Sequence, residues 1–293
     1  MPSVSIVGIG RAGGALAVAL SGAGFKIDHL IHRDPATAEQ LRPLLPEATL
    51  FASSGSLPSI ASDLIIIATP DPDIRTVAEQ LSEHLQSTPV VLHTSGSLSS
   101  EILSTLAKKG CATGSMHPLV SISDAVSGAG TFADAYFCIE GDKVAAMAAT
   151  SIVEALGGRA FSIETRFKPL YHAAAVMSSG HFVALIDAAV EMLARCGIES
   201  NAAKAILLPL IRSTLNNLEA KDPAQALTGS FARADADAVE RHLGSFDDEM
   251  QSIREIYILL GERSIELASA NGADRAALEK LRENIAIAKR KPE

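Results

Sequence analysis

The sequence predicts an α/β protein: an N-terminal doubly wound parallel sheet followed by an all-helical C-terminal domain. Three observations carry this. Short β-branched runs alternate with amphipathic helical stretches through the first half, the pattern of βαβ units. The run Leu64-Ile65-Ile66-Ile67-Ala68 is apolar on both faces, as a central strand of a parallel sheet must be. Beyond Glu164 strand signals all but cease and helical periodicity takes over, which divides the chain into residues 1–164 and 165–293.

Strands are expected over Val4 to Val7, Lys26 to Ile31, Leu64 to Ala68, Val90 to His93, Ala112 to Met116, Ala135 to Ile139 and Arg159 to Ile163. Between them, helices are expected over Arg11 to Ala23, Ala36 to Leu45, Ile74 to Leu85 and Ser99 to Ala107. A long helix from Phe167 to near Arg195 ends at Cys196-Gly197, where glycine serves as a C-cap. Helices over Asn201 to Glu219 (Pro209 a kink point), Ala234 to Leu243, Phe246 to Ala270 and Arg275 to Ala288 follow, with Asn271-Gly272 breaking the last two.

A chain of 293 residues suits about two domains. Its 47% hydrophobic and 20% charged residues are the balance of a globular protein. A net charge of -9 and a pI near 5.4 give no overall attraction for nucleic acid or anionic lipid. The basic end Lys289-Arg290-Lys291 reads as a frayed, solvated terminus. Cys111, Cys138 and Cys196 are scattered, with neither a disulfide framework nor a metal-ligand spacing, which fits a reducing compartment. The start Met1-Pro2-Ser3 has no signal-peptide pattern, and no apolar stretch reaches the roughly 18 residues of a membrane span. A cytoplasmic protein without membrane or nucleic-acid partners is expected.

The chemistry begins at Gly8-Ile9-Gly10-Arg11-Ala12-Gly13, a G-x-G-x-x-G that follows a strand and opens a helix. Gly8 permits the tight turn, Gly10 lets the backbone approach a pyrophosphate, and Gly13 allows close helix packing. The helix N-terminus supplies amides and a positive dipole end, so a Rossmann dinucleotide site is expected. A bare glycine-rich turn is the alternative. About twenty residues on, the second strand ends His32-Arg33-Asp34. Arg33 suits a 2′-phosphate, pairing with it bidentately, and His32 can hydrogen-bond or stack on adenine, which points to NADP. Asp34 argues for NAD if the strand runs one residue further; otherwise it caps a helix opened by Pro35.

In open α/β sheets, ligands lie beyond the carboxyl ends of the strands. There, Ala68, Thr69 and Pro70 are expected to line the cofactor, with Asp71 and Asp73 as helix caps. The next strand leaves through His93-Thr94-Ser95-Gly96-Ser97. Thr94 and Ser95 are expected beside the nicotinamide, with Ser95 turned to the substrate and Ser97 or Ser99 in a capping box with Glu101. His93 reads either as a site residue or as a satisfied buried histidine. The strand after that leaves through Ser115-Met116-His117-Pro118; His117 suits acid–base work, or a structural bond to a carbonyl.

These motifs, with Tyr171-His172-Ala173-Ala174-Ala175 and Leu227-Thr228-Gly229 followed by Arg233 and Asp235, resemble the 6-phosphogluconate-dehydrogenase-like superfamily. Within it the chain is similar to a family of uncharacterised NADP oxidoreductases: a Rossmann-like domain joined to a C-terminal domain of unknown function. It departs from that family's pattern at Gly180, where Asn is expected, and at Ser230 and Ala234, where Pro and Gly are expected. The resemblance to prephenate dehydrogenases, which carry a similar His-Pro segment, implies that His117 is the acid–base catalyst with Ser95 as companion. Pyrroline-5-carboxylate reductases and deazaflavin-dependent NADP reductases share the architecture. By the same resemblance, the first helix of the second domain passes the nicotinamide, with His172 orienting the substrate and Ser179 on its face; Lys168 is there to bind an anion or to lie on the surface.

The expectation is hydride transfer between NADP(H) and a small hydroxy/oxo or imine substrate, by a homodimer. The competing readings are an NADP-binding sensor without turnover and a scaffold with a vestigial nucleotide domain.

Overall fold

Eight strands form one sheet in this computed structural model, which describes residues 2–52 and 57–290: β1 (Ser3–Val7), β2 (Lys26–His32), β3 (Thr49–Ala52), β4 (Leu64–Ile67), β5 (Val90–His93), β6 (Ala112–Pro118), β7 (Tyr136–Gly141) and β8 (Arg159–Phe161). Their order is β3-β2-β1-β4-β5-β6-β7-β8. The first six are parallel; β7 pairs antiparallel with β6, and β8 runs with β7. The order reverses between β1 and β4, which opens a crevice at their carboxyl ends.

The apolar run at β4 explains why both faces are covered. Leu64 and Ile66 point into a core with Ile6, Leu16, Leu20 and Leu92, whereas Ile65 and Ile67 join Val7, Ile31, Ile74 and Leu81 on the other side. Six helices belong with the sheet: α1 (Arg11–Gly22), α2 (Pro35–Leu41), α3 (Ile74–His84), α4 (Ser104–Ala107), α5 (Lys143–Ala155) and α6 (Lys168–Ser178). Of these, α1, α2 and α5 supply the first core, and α3 and α4 the second. Truncating Ile66, fully buried, to Ala costs about 2–5 kcal/mol.

The strand β3 and the helix α5 escaped the sequence reading. β3 is a four-residue edge strand with no fully buried side chain, too short to show alternation. α5 is rich in alanine, so its periodicity is faint; Asp142 caps it by accepting from the Val144 and Ala145 amides. Helix α2 stops at Leu41 because Pro43 has no N–H to return to Glu39. The expected helix at Ser99 to Ala107 is a 3-10 turn, Ser100–Leu103, leading into α4.

The chain divides into two compact units, Met1–His181 and Phe182–Glu293. α6 therefore lies in the same body as the sheet. The long helix expected through Arg195 is two helices, interrupted at Ser179 (φ -125°, ψ -77°) before α7 (Gly180–Arg195). By length and composition the combined run Thr165–Arg195 is apolar enough to cross a membrane, with a window of mean hydropathy 1.5, contrary to the expectation that no such stretch exists.

The second unit continues with α8 (Ser200–Ala220), α9 (Pro223–Ala226), α10 (Gly229–Ala232), α11 (Ala236–Leu243), α12 (Gln251–Ala270) and α13 (Arg275–Arg290). Val239, Ile258, Ile265, Leu278, Leu281 and Ile285 form its core. Gly197 and Gly272 take the left-handed conformation at the two expected breaks (φ 85° and 83°). Ala234 is also left-handed (φ 50°), at the position where the family resemblance expects glycine. α8 contains Pro209. At the basic end, Lys289 is in α13 and pairs with Glu262 (2.9 Å) instead of fraying; Lys291 lies outside the described residues.

Candidate functional site

Backbone geometry at the end of β1 sets the first half of the site. Gly8 has φ 90°, a conformation that side chains disfavour, and its amide donates to the Ile31 carbonyl (2.8 Å). At Gly13 a Cβ would run into the Gly8 carbonyl, so only glycine lets α1 begin this close to β1. Gly10 caps α1 with no side-chain bond, which leaves the first-turn amides of Arg11, Ala12 and Gly13 without a capping acceptor.

Beside this turn lies a cavity of about 460 Å³ at the β1–β4 switch point. Gly8, Ile9, Gly10, His32, Arg33, Ala68, Thr69 and Pro70 line it; Arg11, Ala12, Gly13, Thr94 and Ser95 do not. Two side-chain atoms near this cavity, His32 Nδ1 and Thr69 Oγ1, are buried without a hydrogen-bond partner among the described residues. Such atoms cost free energy unless a ligand or water completes them. Arg33 reaches Asp73 (3.0 Å) at the rim. Asp34 is occupied as the cap of α2: its carboxylate accepts from the Ala36 and Thr37 amides and the Thr37 hydroxyl, which holds it below the usual carboxylate range. Asp71 and Asp73 do not cap. Asp71 accepts from Ser97 Oγ (2.6 Å), and Asp73 faces Arg33, which outcompetes a neutral amide.

The ends of β5 and β6 build the second half. His93 is fully buried and satisfied: Nδ1 accepts from the Ser95 amide (3.1 Å) and Nε2 donates to the Ser99 carbonyl (3.2 Å). Burial, then the nearby Lys168 charge, pushes it down to about 4, so it is neutral and structural. Ser95 Oγ accepts from the Ser97 (3.2 Å) and Leu98 (3.0 Å) amides. Its hydroxyl is thus spent on folding the loop, not turned to a substrate as expected. Ser99 makes no side-chain cap, so the expected capping box is absent.

His117 and His172 converge on Gly96, and Tyr171 meets the other nitrogen of His117. Tyr171 Oη lies 2.6 Å from His117 Nδ1, and the two imidazoles meet edge to face with centroids 5.5 Å apart. A Cβ on Gly96 would fall 2.5 Å from His172 Nδ1 and 2.9 Å from His117 Nε2. Only a residue without a side chain fits between the rings. His172 Nδ1 is buried without a hydrogen-bond partner among the described residues. His117 is pushed down to about 4, first by burial and then by the His172 and Lys168 charges, so it is neutral near pH 7. Burial, with the Cys138 thiol nearby, pushes the Tyr171 phenol well above its ordinary value.

Lys168 corrects both readings of it. It is fully buried, neither on the surface nor open to an anion, and donates to Ser115 Oγ (2.7 Å) and the Ser95 carbonyl (3.3 Å). Ser115 sits opposite Glu140 in the β6–β7 register and donates to its carboxylate (3.3 Å), which also holds Ser100. Ser179 bonds back to the Ala175 carbonyl (2.8 Å) at the helix break. Sequence reasoning gave no role to Tyr171 or Glu140, and did not foresee Lys168 as an internal tether. The one available signal was spacing: Lys168, Tyr171 and His172 lie within one helical turn and share a face.

A sheet in the order 3-2-1-4-5-6 with a glycine turn and an uncapped helix start defines a Rossmann-type nucleotide-binding fold. The comparisons with known proteins agree: residues 2–118 match the Rossmann-like domain family, and residues 135–264 match a domain of unknown function, DUF2520. The chain is a Rossmann-like domain joined to a DUF2520 domain. It is similar to the crystal structure of protein TM1727 from Thermotoga maritima (25% identity, TM-score 0.70, covering 92% of this chain and 99% of that one). It is also similar to BF3122 from Bacteroides fragilis, described as a putative NADP oxidoreductase (21%, 0.75, 90% and 97%). A third similar structure is the Plasmodium falciparum pyrroline carboxylate reductase with NADP bound (14%, 0.57, 98% and 98%). No curated protein matches the chain.

Proposed function

We propose that this protein is an NADP-dependent oxidoreductase acting on a small hydroxy/oxo or imine substrate. The observation that carries the proposal is the cavity at the β1–β4 switch point, with the unpartnered His32 Nδ1 and Thr69 Oγ1 beside it and Arg33 at its rim. These groups fit a dinucleotide. The free amides of Arg11 to Gly13 would hold a pyrophosphate, and Ile9 and Ala68 would pack against the cofactor. Arg33 would take the 2′-phosphate, a role left to it because Asp34 is committed to capping α2. Thr69, Pro70, Thr94 and Ser95 would line the nicotinamide side.

When bound, the dinucleotide supplies hydride. The chain's own residues position the acceptor and manage its charge. His117, neutral and buried, meets the reacting oxygen or nitrogen; His172 orients the substrate; the Ser95–Ser97 loop, pinned from behind by Lys168, keeps Gly96 between them. The similar structures named for NADP oxidation–reduction support this reading. Calorimetric titration tests it: NADPH should bind and NADH bind more weakly, followed by NADPH oxidation against small oxo-acids and cyclic imines. Binding without any turnover in the presence of such substrates would favour the sensor reading, and no binding at all the vestigial one.

The working unit on this reading is a homodimer. Val183, Ile206, Leu210, Leu215 and Leu218 on α7 and α8 are exposed apolar side chains, and a second copy would cover them. Three free cysteines, two of them buried, suit the cytoplasm.

A further inference from the structure

The contact between Tyr171 and His117 decides which ring nitrogen carries the proton. At 2.6 Å it is shorter than N–H donors ordinarily reach and falls within the range of O–H donors. The phenol is a strong donor, and the bare nitrogen of a neutral imidazole is a strong acceptor. A phenol that donates to His117 Nδ1 leaves the ring proton on Nε2. That nitrogen has no protein partner among the described residues and is the one beside Gly96.

We infer that Tyr171 is a positioning residue that fixes His117 as a neutral Nε2–H donor, so that the site is built for reduction of a carbonyl or imine rather than for abstraction of a hydroxyl proton. An Nε2–H cannot accept a proton, and Nδ1 is blocked by the phenol. His117 instead bonds to the substrate's oxygen or nitrogen and polarises it. As hydride reaches the carbon, the π electrons of the C=O or C=N bond collect on that heteroatom. The heteroatom then takes one proton from a water molecule, whose hydroxide passes to the solvent, and His117 and Tyr171 keep their starting protonation states. A neutral histidine used this way needs neighbours that resist its protonation. Those facing it are Tyr171, His172 and Lys168 from α6, His93 from β5 and Asp71 from the turn after β4; among them only Asp71 favours the imidazolium.

The inference rests on the enzyme reading for its chemistry, but its test does not. Protein labelled with 15N-histidine, with His117 assigned by its absence in His117→Gln, reports the tautomer by long-range proton–nitrogen correlation without cofactor or substrate. In the wild type, Nε2 should be the protonated nitrogen and stay so as the pH falls towards 5, well below the ordinary histidine value. In Tyr171→Phe the two tautomers should mix. A wild-type Nδ1–H tautomer would overturn the inference, and so would an unchanged tautomer in Tyr171→Phe. Failure of NADPH to bind would instead sink the enzyme reading and leave the tautomer result standing. Once a substrate is known, Tyr171→Phe should lower kcat for reduction at least tenfold with little change in KM.

Discussion

Lys168 Nζ donates to Ser115 Oγ at 2.7 Å, although the lysine side chain has no contact with solvent. Through this bond the first turn of α6 is fastened to β6, and through the Ser95 carbonyl to the loop after β5. Burial lowers the lysine's pKa, opposed by the nearby Cys138 thiol and the Glu140 and Asp71 carboxylates. Lys168→Met should destabilise the fold by roughly 2–4 kcal/mol, since the Ser95 carbonyl loses its partner and hydrogen bonds to charged groups are worth more than neutral ones. Denaturant unfolding followed at the sheet checks this; a loss below about 0.5 kcal/mol, the scale of a surface change, would mean that the lysine merely fills space.

Acid should weaken the protein earlier than its carboxylates require. His93 and His117 are held near 4 against an unfolded value of 6.5. Between these values the unfolded chain binds protons that the folded chain refuses, so stability is full above about 6.5 and declines as the pH falls towards 4. Each group contributes at most about 3 kcal/mol across that window. Capping carboxylates such as Asp34 and Asp124, held low, give way only at lower pH. Melting temperatures measured from pH 7 down to about 4.5 should fall steadily; a flat profile there would contradict the buried neutral state of both histidines.

Cofactor choice should follow Arg33 and its partner. Arg33→Ala should cost NADPH about 10- to 100-fold in affinity and NADH little, the scale of one lost charge-assisted pair. Asp73→Asn should move the other way, strengthening NADPH a few-fold, because the carboxylate 3.0 Å from the guanidinium competes with the incoming phosphate in an exposed pair. Equal losses for both nucleotides in Arg33→Ala would assign the arginine to the fold instead.

Dimerisation should depend on the exposed face of α8. Ile206 and Leu210 are 57% and 63% exposed, one helical turn apart. Ile206→Asp with Leu210→Asp should yield monomers in sedimentation velocity, with the far-ultraviolet spectrum unchanged. A wild-type monomer would remove the proposal. A wild type that sediments only in detergent would give the apolar Thr165–Arg195 run to a membrane instead.

Legibility in the sequence tracked how locally each feature is encoded. The turn from Gly8 to Gly13 was readable because the three glycines recur at a fixed short spacing between a strand and a helix, and the run Leu64 to Ile67 because burial on two faces leaves no polar residue. The break at Ser179 was not, since helix-forming apolar stretches stand on both sides of it and read as one helix. Lys168 looked like surface because lysine is almost always there. Tyr171 gained no role because its partner is 54 residues away, on a strand whose position only the assembled sheet defines. Ser95 misled for the opposite reason: its hydroxyl had a partner two residues on, which the loop geometry alone reveals.

Gly96 has one further consequence, for reading divergence among related chains. The two imidazoles are kept in mutual reach by the absence of a single carbon atom. A descendant that keeps both histidines but gains a methyl group at this position would look intact by its polar residues and yet have its rings prised apart. Inherited chemistry in such a lineage is therefore marked less faithfully by the histidines than by the residue that contributes no side chain at all.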